Sequence, residues 1–171
     1  IHTRDAMPAL WFTSQTNLAN ALKAIGMLDD DVVSLRDAIA AYREALDATS
    51  PDELPKRWAM MQGSLGGTWG LLAGLTGEDA DYAHSLAAYD DALERIDRAT
   101  MPRDWALMRH NMGLALRAAG CARGDVDQVR AAAEAGREAV AMFEAGHGAQ
   151  YAEPARESLA EAEALLARLE A

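Results

Sequence analysis

Residues 55–66 read PKRWAMMQGSLG, and the main features of this stretch recur at a fixed interval along the chain. Self-similarity at one period indicates a single supersecondary unit that is stacked on copies of itself. Such an array buries its core between neighbouring units and leaves an extended surface for binding. The counterparts are 47 residues apart and are Pro8, Pro55 and Pro102, then Trp11, Trp58 and Trp105, then Tyr42 and Tyr89.

Each unit is predicted to be a pair of antiparallel helices. Proline opens the first helix, where its missing N–H would have no partner. In unit one, apolar residues follow at helical spacing from Trp11 to Ile25 and again from Leu35 to Leu46. Gly26 is expected to end the first helix, as glycine does just past a helix C-terminus. We predict units at about 8–54, 55–101 and 102–148, and a polar-faced capping helix at about 149–171.

Composition narrows the function classes. The 171 residues carry a net charge of −11, which argues against a nucleic-acid backbone as the main partner. Cys121 is the only cysteine, so no intrachain disulfide can form and a reducing compartment is favoured. No apolar run approaches the roughly 20 residues that span a bilayer. We therefore expect a cytoplasmic protein that binds neither nucleic acid nor membranes.

The segment before Trp11 resembles the segment before Trp105, which connects two units. Residues 3–8 read TRDAMP, and residues 99–102 read ATMP. We therefore expect the chain to be a fragment of a longer protein, with a preceding unit missing and an apolar face of the first helix left exposed.

The first helices of the three units share a longer motif. It reads Gln15-x-x-Leu18-Ala19-x-x-Leu22, then Gln62-x-x-Leu65-Gly66-x-x-Trp69, then Arg109-x-x-Met112-Gly113-x-x-Leu116. In the second helices, Ala38, Tyr42 and Ala45 correspond to Ser85, Tyr89 and Ala92, whereas unit three departs with Ala132, Gly136 and Ala139.

This pattern resembles the tetratricopeptide repeat (TPR) family. The family unit has about 34 residues, so the present unit is a long variant, similar to bacterial arrays that open with proline-x-x-tryptophan-alanine. The resemblance implies an all-α fold, a right-handed α-solenoid of three antiparallel helix hairpins followed by a C-terminal capping helix. It implies a single repeat domain over residues 1–171 that binds proteins, and it leaves the ligand open.

No motif for catalysis or metal binding is present. None of the four histidines has a second ligand at metal-binding spacing; they are His2, His84, His110 and His147. Acidic residues recur in the loop of each hairpin, around Asp31, Glu78 and Asp125, and helix capping explains them. We therefore expect no enzyme activity, no bound metal and no cofactor.

Residues 63–70 read GSLGGTWG and place four glycines on one predicted helical face. Four glycines should weaken a helix by about 2–4 kcal/mol relative to alanine, so a packing or binding role is expected. We expect Gly66 to permit close approach of the partner helix. The family resemblance implies that the remaining three glycines face a concave groove. The groove set is Thr16, Asn20, Lys23, Met60, Gly63, Gly67, Gly70, Leu107, His110, Leu114 and Arg117.

The glycines are equally compatible with a further helix of the same protein lying in the groove, or with relaxed selection in this helix. The predicted function is a non-enzymatic scaffold that binds a peptide or helical segment in the groove. Lys23 and Arg117 would steer an anionic ligand into an otherwise acidic protein. One alternative is a small-molecule sensor or enzyme with a pocket around Gly67, His110 and Arg117. Another is a self-assembly module that stacks into a homo-oligomer through its N-terminal face.

Overall fold

The computed structural model describes residues 8–171, with side chains from residue 10 onward. The expectations that concern residues 1–7, including His2, lie outside the described residues. Within them the chain forms seven α-helices and no strand, which confirms the all-α prediction. The helices are α1 (Pro8–Asp29), α2 (Val32–Asp47), α3 (Pro55–Thr76), α4 (Asp79–Glu94), α5 (Pro102–Arg123), α6 (Val126–Glu144) and α7 (Ala152–Glu170).

The helix and loop lengths account for the interval in the sequence. α1, α3 and α5 each have 22 residues, and α2 and α4 each have 16. The turns inside the three hairpins are the two-residue segments 30–31, 77–78 and 124–125. The connectors between hairpins are longer, at 48–54 and 95–101. A single-turn 3₁₀ helix at Ala149–Tyr151 precedes α7.

Carboxylate caps fix the first and third hairpin turns, as the acidic loops predict, whereas Glu78 in the second makes no side-chain cap hydrogen bond. Asp31 accepts hydrogen bonds from the backbone N–H groups of Val33 and Ser34 at the start of α2. Asp125 plays the same part for α6, accepting from the N–H groups of residues 127 and 128. Each such cap contributes about 1 kcal/mol to helix stability.

The expectation that Gly26 ends α1 is wrong. The helix continues to Asp29, and the left-handed residue that follows is Asp30, with φ of 52°. Gly77 and Gly124 hold the equivalent left-handed positions after α3 and α5. A Cβ at Gly26 would lie 2.6 Å from the Leu35 side chain, so this glycine permits close packing of α1 on α2.

A polar pair closes each hairpin from the side. In all three hairpins, a side chain in the middle of the first helix donates to an acidic residue 29 positions later in the second helix. Side-chain hydrogen bonds to charged groups contribute about 1.5–3 kcal/mol in favourable settings and less when exposed. The pairs are Gln15–Glu44 at 2.8 Å, Gln62–Asp91 at 3.1 Å and Arg109–Glu138 at 2.7 Å.

The chain divides into two compact units, with the division between Arg95 and Ile96. In the first unit, α2 packs on both α1 and α3, and α3 packs on α4. Its core includes the fully buried Leu35, Tyr42 and Leu72. In the second unit, α6 packs between α5 and α7, around the fully buried Phe143. The prediction of one repeat domain over the whole chain stays a prediction.

Candidate ligand-binding trough

An open cavity of 630 Å³ lies between α1 and α3 in the first unit. Its walls are mainly apolar: Phe12 on α1 and Met60 and Met61 on α3 line it, together with Leu54 and Pro55. The Phe12 ring is buried and carries the Arg57 guanidinium 4.8 Å above its centre. Methionine is flexible and polarizable, so such walls adapt to apolar side chains of different shape.

Polar groups follow the apolar cavity along α1. Thr16 lines the cavity, and its hydroxyl lies 3.9 Å from the Met61 sulfur. One turn later, Asn20 accepts a 2.5 Å hydrogen bond from the Tyr42 hydroxyl. Ser64, which also lines the cavity, lies beside the same hydroxyl, and burial raises the pKa of Tyr42.

Lys23 lies at the far end of this polar segment, over Gly67. A Cβ at Gly67 would be 3.1 Å from the Lys23 ammonium and 3.2 Å from the Tyr89 hydroxyl, so the missing side chain leaves the space that both groups occupy. Burial lowers the pKa of Lys23 and raises that of Tyr89. Within the described residues, neither group has a hydrogen bond or an ion pair. A half-buried ammonium without a counter-charge favours an anionic guest.

We call this cavity, together with the α1 and α3 residues that follow it, the trough. It begins at the apolar cavity and ends, two helical turns further along α1, at an unpaired cation. Its residues are Phe12, Thr16, Asn20 and Lys23 of α1 and Met60, Met61, Ser64 and Gly67 of α3; the hydroxyls of the buried Tyr42 and Tyr89 lie beside Asn20 and Gly67.

The four glycines at positions 63–70 of α3 have different surroundings. The prediction that Gly66 faces the partner helix is confirmed, because a Cβ there would lie 3.1 Å from both the Ser85 carbonyl oxygen and the Tyr89 ring. A Cβ at Gly70 would lie 3.3 Å from the Ser85 hydroxyl, so that glycine also contacts α4. Gly63 is buried, and Gly67 alone lies beneath the Lys23 ammonium.

The groove residues predicted in α5 lie in the second unit, where α7 covers part of their surface. His110 and Leu114 border a crevice of only 10 Å³, and the His110 ring meets Phe143 at 6.5 Å. Burial lowers the pKa of His110. Arg117 is paired with Glu161 of α7 at 3.0 Å, and Leu107 packs against the apolar core of this unit.

The third repeat differs from the first two at one position of its second helix, and this difference explains why α7 covers the groove residues of α5. The position of Tyr42 and Tyr89 is occupied by Gly136, and the Leu159 side chain of α7 fills the resulting gap, 3.2 Å from where a Cβ would lie. The space that an aromatic ring fills in the first unit is thus filled by a neighbouring helix in the second. The sequence shows the glycine at position 136 but not which side chain fills the space beside it.

The trough also contains residues outside the predicted set. Phe12, Leu54, Met61 and Ser64 line the cavity, and the Tyr42 hydroxyl reaches its polar end. The register of the helix could have identified Ser64, which follows Met60 by one turn. Leu54 belongs to a connector, whose path the helical period does not predict.

Comparison of the chain with protein-family profiles, with curated proteins and with solved structures found no match. The case for a function therefore depends on the molecule itself. In residues 8–171, no helix combines the length and apolar character needed to cross a membrane. The same part of the chain contains no group of three or more histidine, cysteine or acidic side chains that could hold a metal ion.

Proposed function

We propose that this chain is a non-enzymatic binding module that holds a short segment of another protein in the trough. The observation that carries the proposal is an open apolar cavity which leads to an unpaired, half-buried ammonium. An apolar side chain of the guest occupies the cavity beside Phe12 and Met60. A carboxylate of the guest pairs with Lys23 and accepts from the Tyr89 hydroxyl.

The dimensions of the trough support an extended or helical peptide. Thr16 and Lys23 are seven residues apart on α1, which corresponds to about 10 Å along a helix axis. That distance separates an apolar and an acidic side chain about three residues apart in an extended segment, or about two turns apart in a helix.

We further propose that the 47-residue hairpin is a long TPR-like unit, because its close-packing small residues and interhelical tyrosines occupy the places that the family pattern requires.

A random peptide library displayed on phage and selected on the immobilised chain tests the proposal. We expect enriched sequences to share one bulky apolar residue and one aspartate, glutamate or terminal carboxylate at a constant spacing. Enrichment of basic peptides, or of peptides with no shared spacing, would contradict the proposed trough.

Charge-matched variants test where the selected peptide binds. We expect Lys23→Gln to weaken binding about tenfold and to reduce its salt dependence, because a desolvated ion pair is lost. Arg36→Gln removes the same charge from an exposed site on α2 and should leave affinity unchanged. Met60→Glu should also weaken binding, because it brings a carboxylate into the apolar cavity. Equal affinities for Lys23→Gln and Arg36→Gln would exclude Lys23 as the anion contact.

A small apolar carboxylate is the second candidate ligand. The cavity volume falls within the range of about 300–1,000 Å³ that small-molecule sites have. The peptide is favoured because the cavity is open to solvent. A screen of aromatic and aliphatic carboxylic acids by thermal shift distinguishes the two: stabilisation by a free acid, abolished in Lys23→Gln, would favour a small-molecule sensor.

Self-assembly is the third candidate function, and the outer face of α1 favours it. Leu18, Ile25 and Leu28 are 50%, 46% and 78% exposed. The α3 counterparts of the first two, Leu65 and Leu72, are only 6% and 1% exposed and belong to the core that includes α2. Sedimentation velocity over a range of concentrations tests this candidate. A concentration-dependent oligomer that Ile25→Lys abolishes would support it, and a monomer at all concentrations would exclude it.

A further inference from the structure

A second cavity, of 320 Å³, lies on the other side of α3 from the trough. Trp58, Gln62, Leu65 and Trp69 line it and are spaced along one helical face. Trp58 and Leu65 each precede a trough residue, Met60 and Gly67, by two positions, which corresponds to a rotation of about 200° around the helix axis. We call this cavity the tryptophan pocket. α2 and α4 supply its side walls.

Gln62 at the floor of the tryptophan pocket has an unused acceptor. The residue is 7% exposed, and its Nε2 donates to Asp91 at 3.1 Å. Its Oε1 is buried and has no hydrogen-bond partner among the described residues. A buried acceptor without a donor costs about 1–3 kcal/mol, so a guest that donates a hydrogen bond here would relieve that penalty.

The third repeat shows what this surface holds when the position of Gln62 is an arginine. Trp105, Arg109 and Glu138 are the counterparts of Trp58, Gln62 and Asp91, each 47 residues later. The Arg109 guanidinium lies 5.9 Å from the centre of the Trp105 ring and donates to Glu138 at 2.7 Å. In the second repeat both polar residues are shorter and line a cavity, and the Arg95 guanidinium lies 6.0 Å from the centre of the Trp58 ring.

Charged side chains of both signs line the tryptophan pocket. α2 contributes Arg43 and Asp47, and α4 contributes His84 and Asp91. The Arg43 guanidinium is 5.2 Å from the Trp69 ring, which stacks against His84 at 4.5 Å between ring centres. The Asp91 carboxylate, which already accepts from Gln62 Nε2, is the acidic group that a cationic guest beside Gln62 would meet.

We propose that the tryptophan pocket binds a guanidinium group, presented by an arginine side chain of a partner protein. The guanidinium donates to Gln62 Oε1 and to the Asp91 carboxylate and lies against the Trp58 ring, as Arg109 does within its own repeat. Planar guanidinium suits this site because it stacks on an aromatic face while donating in its own plane. The site is independent of the trough and of the ligand proposed for it.

Agmatine, an aliphatic guanidinium compound, is the probe, and nuclear magnetic resonance of the indole N–H groups is the readout. The chain has four tryptophans, so four assigned indole signals report on four places at once. We expect agmatine to shift the signals of Trp58 and Trp69 saturably and to leave those of Trp11 and Trp105 in place. The matched urea, 4-aminobutylurea, keeps the ammonium of agmatine but has no guanidinium charge and should shift none. Equal shifts with the urea, or uniform shifts of all four signals, would overturn the proposal.

A matched pair of variants tests the internal template. Gln62→Arg supplies the guanidinium from the chain itself, so agmatine binding should fall at least about tenfold. Gln15→Arg makes the same change at the equivalent residue of the first repeat and should leave agmatine binding unchanged. Undiminished binding by folded Gln62→Arg would refute the site. If Gln62→Arg does not fold, the indole signals of the unmodified protein still decide the outcome.

Discussion

Alanine at Gly66 and alanine at Gly67 should have different effects on stability, although the two residues are neighbours in α3. Each substitution gains helix propensity, up to about 1 kcal/mol for an interior position. The difference comes from what the new Cβ meets. At Gly66 it meets the Ser85 carbonyl oxygen at 3.1 Å and the Tyr89 ring at 3.1 Å. At Gly67 it meets only the Lys23 ammonium and the Tyr89 hydroxyl.

The neighbours of Gly66 cannot move cheaply. The Ser85 carbonyl belongs to the backbone of α4, and the Ser85 hydroxyl donates to the Gly66 carbonyl at 2.8 Å in a buried hydrogen bond. Overpacking of this kind costs about 1–3 kcal/mol, and part of that hydrogen bond is lost as α4 moves away. After the propensity gain, Gly66→Ala should destabilise by about 1–2 kcal/mol, which lowers the melting temperature by about 2–8 °C.

The ammonium over Gly67 is the end of a flexible side chain and can swing into solvent, whereas the hydroxyl of the buried Tyr89, 3.2 Å from the new Cβ, has to shift by a few tenths of an ångström. The gain in helix propensity offsets that shift, so Gly67→Ala should be close to neutral. The movement of the ammonium removes the cation from the trough, so binding of an anionic peptide should weaken although the fold is as stable as before. Gly67→Leu should fill the trough and weaken binding further.

Calorimetric melts and urea titrations of the two alanine variants, together with the affinity for one selected peptide, form the assay. The reasoning fails if Gly67→Ala melts several degrees below the unmodified chain while binding normally, because Gly67 would then be a packing residue. It also fails if Gly66→Ala is as stable as the unmodified chain.

Three further predictions concern single side chains. Burial lowers the pKa of Lys23 below its ordinary value of 10.5, so the folded chain loses this proton at a lower pH than the unfolded chain does. Between the lowered pKa and 10.5, stability should therefore rise with pH and the affinity for an anionic peptide should fall. Urea titrations of the unmodified chain and of Lys23→Gln would show whether the trend depends on this residue. Tyr42→Phe should lower the free energy of unfolding by about 1 kcal/mol because the hydrogen bond to Asn20 is lost. Tyr89→Phe should be neutral or stabilising because the Tyr89 hydroxyl is buried and has no hydrogen-bond partner among the described residues. Equal urea midpoints for the two variants would contradict this prediction. Asp125→Ala should cost about 1 kcal/mol by removing a helix cap, measured by the same titration, and an unchanged midpoint would show that the cap is dispensable.

The repeat in the sequence predicted the helices well because each helix carries its own signals. Pro55 begins α3, Gly77 follows it in the left-handed conformation, and Asp31 and Asp125 cap α2 and α6. Gly26 was the exception. Glycine serves both to end a helix and to admit a close neighbour, and only the position of Leu35 distinguishes the two uses.

The candidate site was less predictable because it depends on which helix covers which. The register correctly brings Thr16 and Met60 to one cavity and Lys23 to Gly67. The same register predicts that Arg117 is a groove cation equivalent to Lys23, but Arg117 is paired with Glu161 of α7. Helical periodicity describes a residue's direction on its own helix, whereas the partner of a charge is set by tertiary packing. The trough and the tryptophan pocket form where α1, α2 and α4 pack around α3, and the sequence does not show that packing.

The polar pairs that span each hairpin have a consequence for where the chain can change length. One residue inserted inside α4, ahead of Asp91, would rotate the Asp91 side chain by about 100° around the helix axis and separate it from Gln62. A residue inserted in the connector 95–101 lies outside every such pair and leaves each hairpin in register. Insertions and deletions accepted during evolution should therefore gather in the connectors. For the same reason Ala99, exposed in the second connector, is a suitable place to introduce a reporter domain.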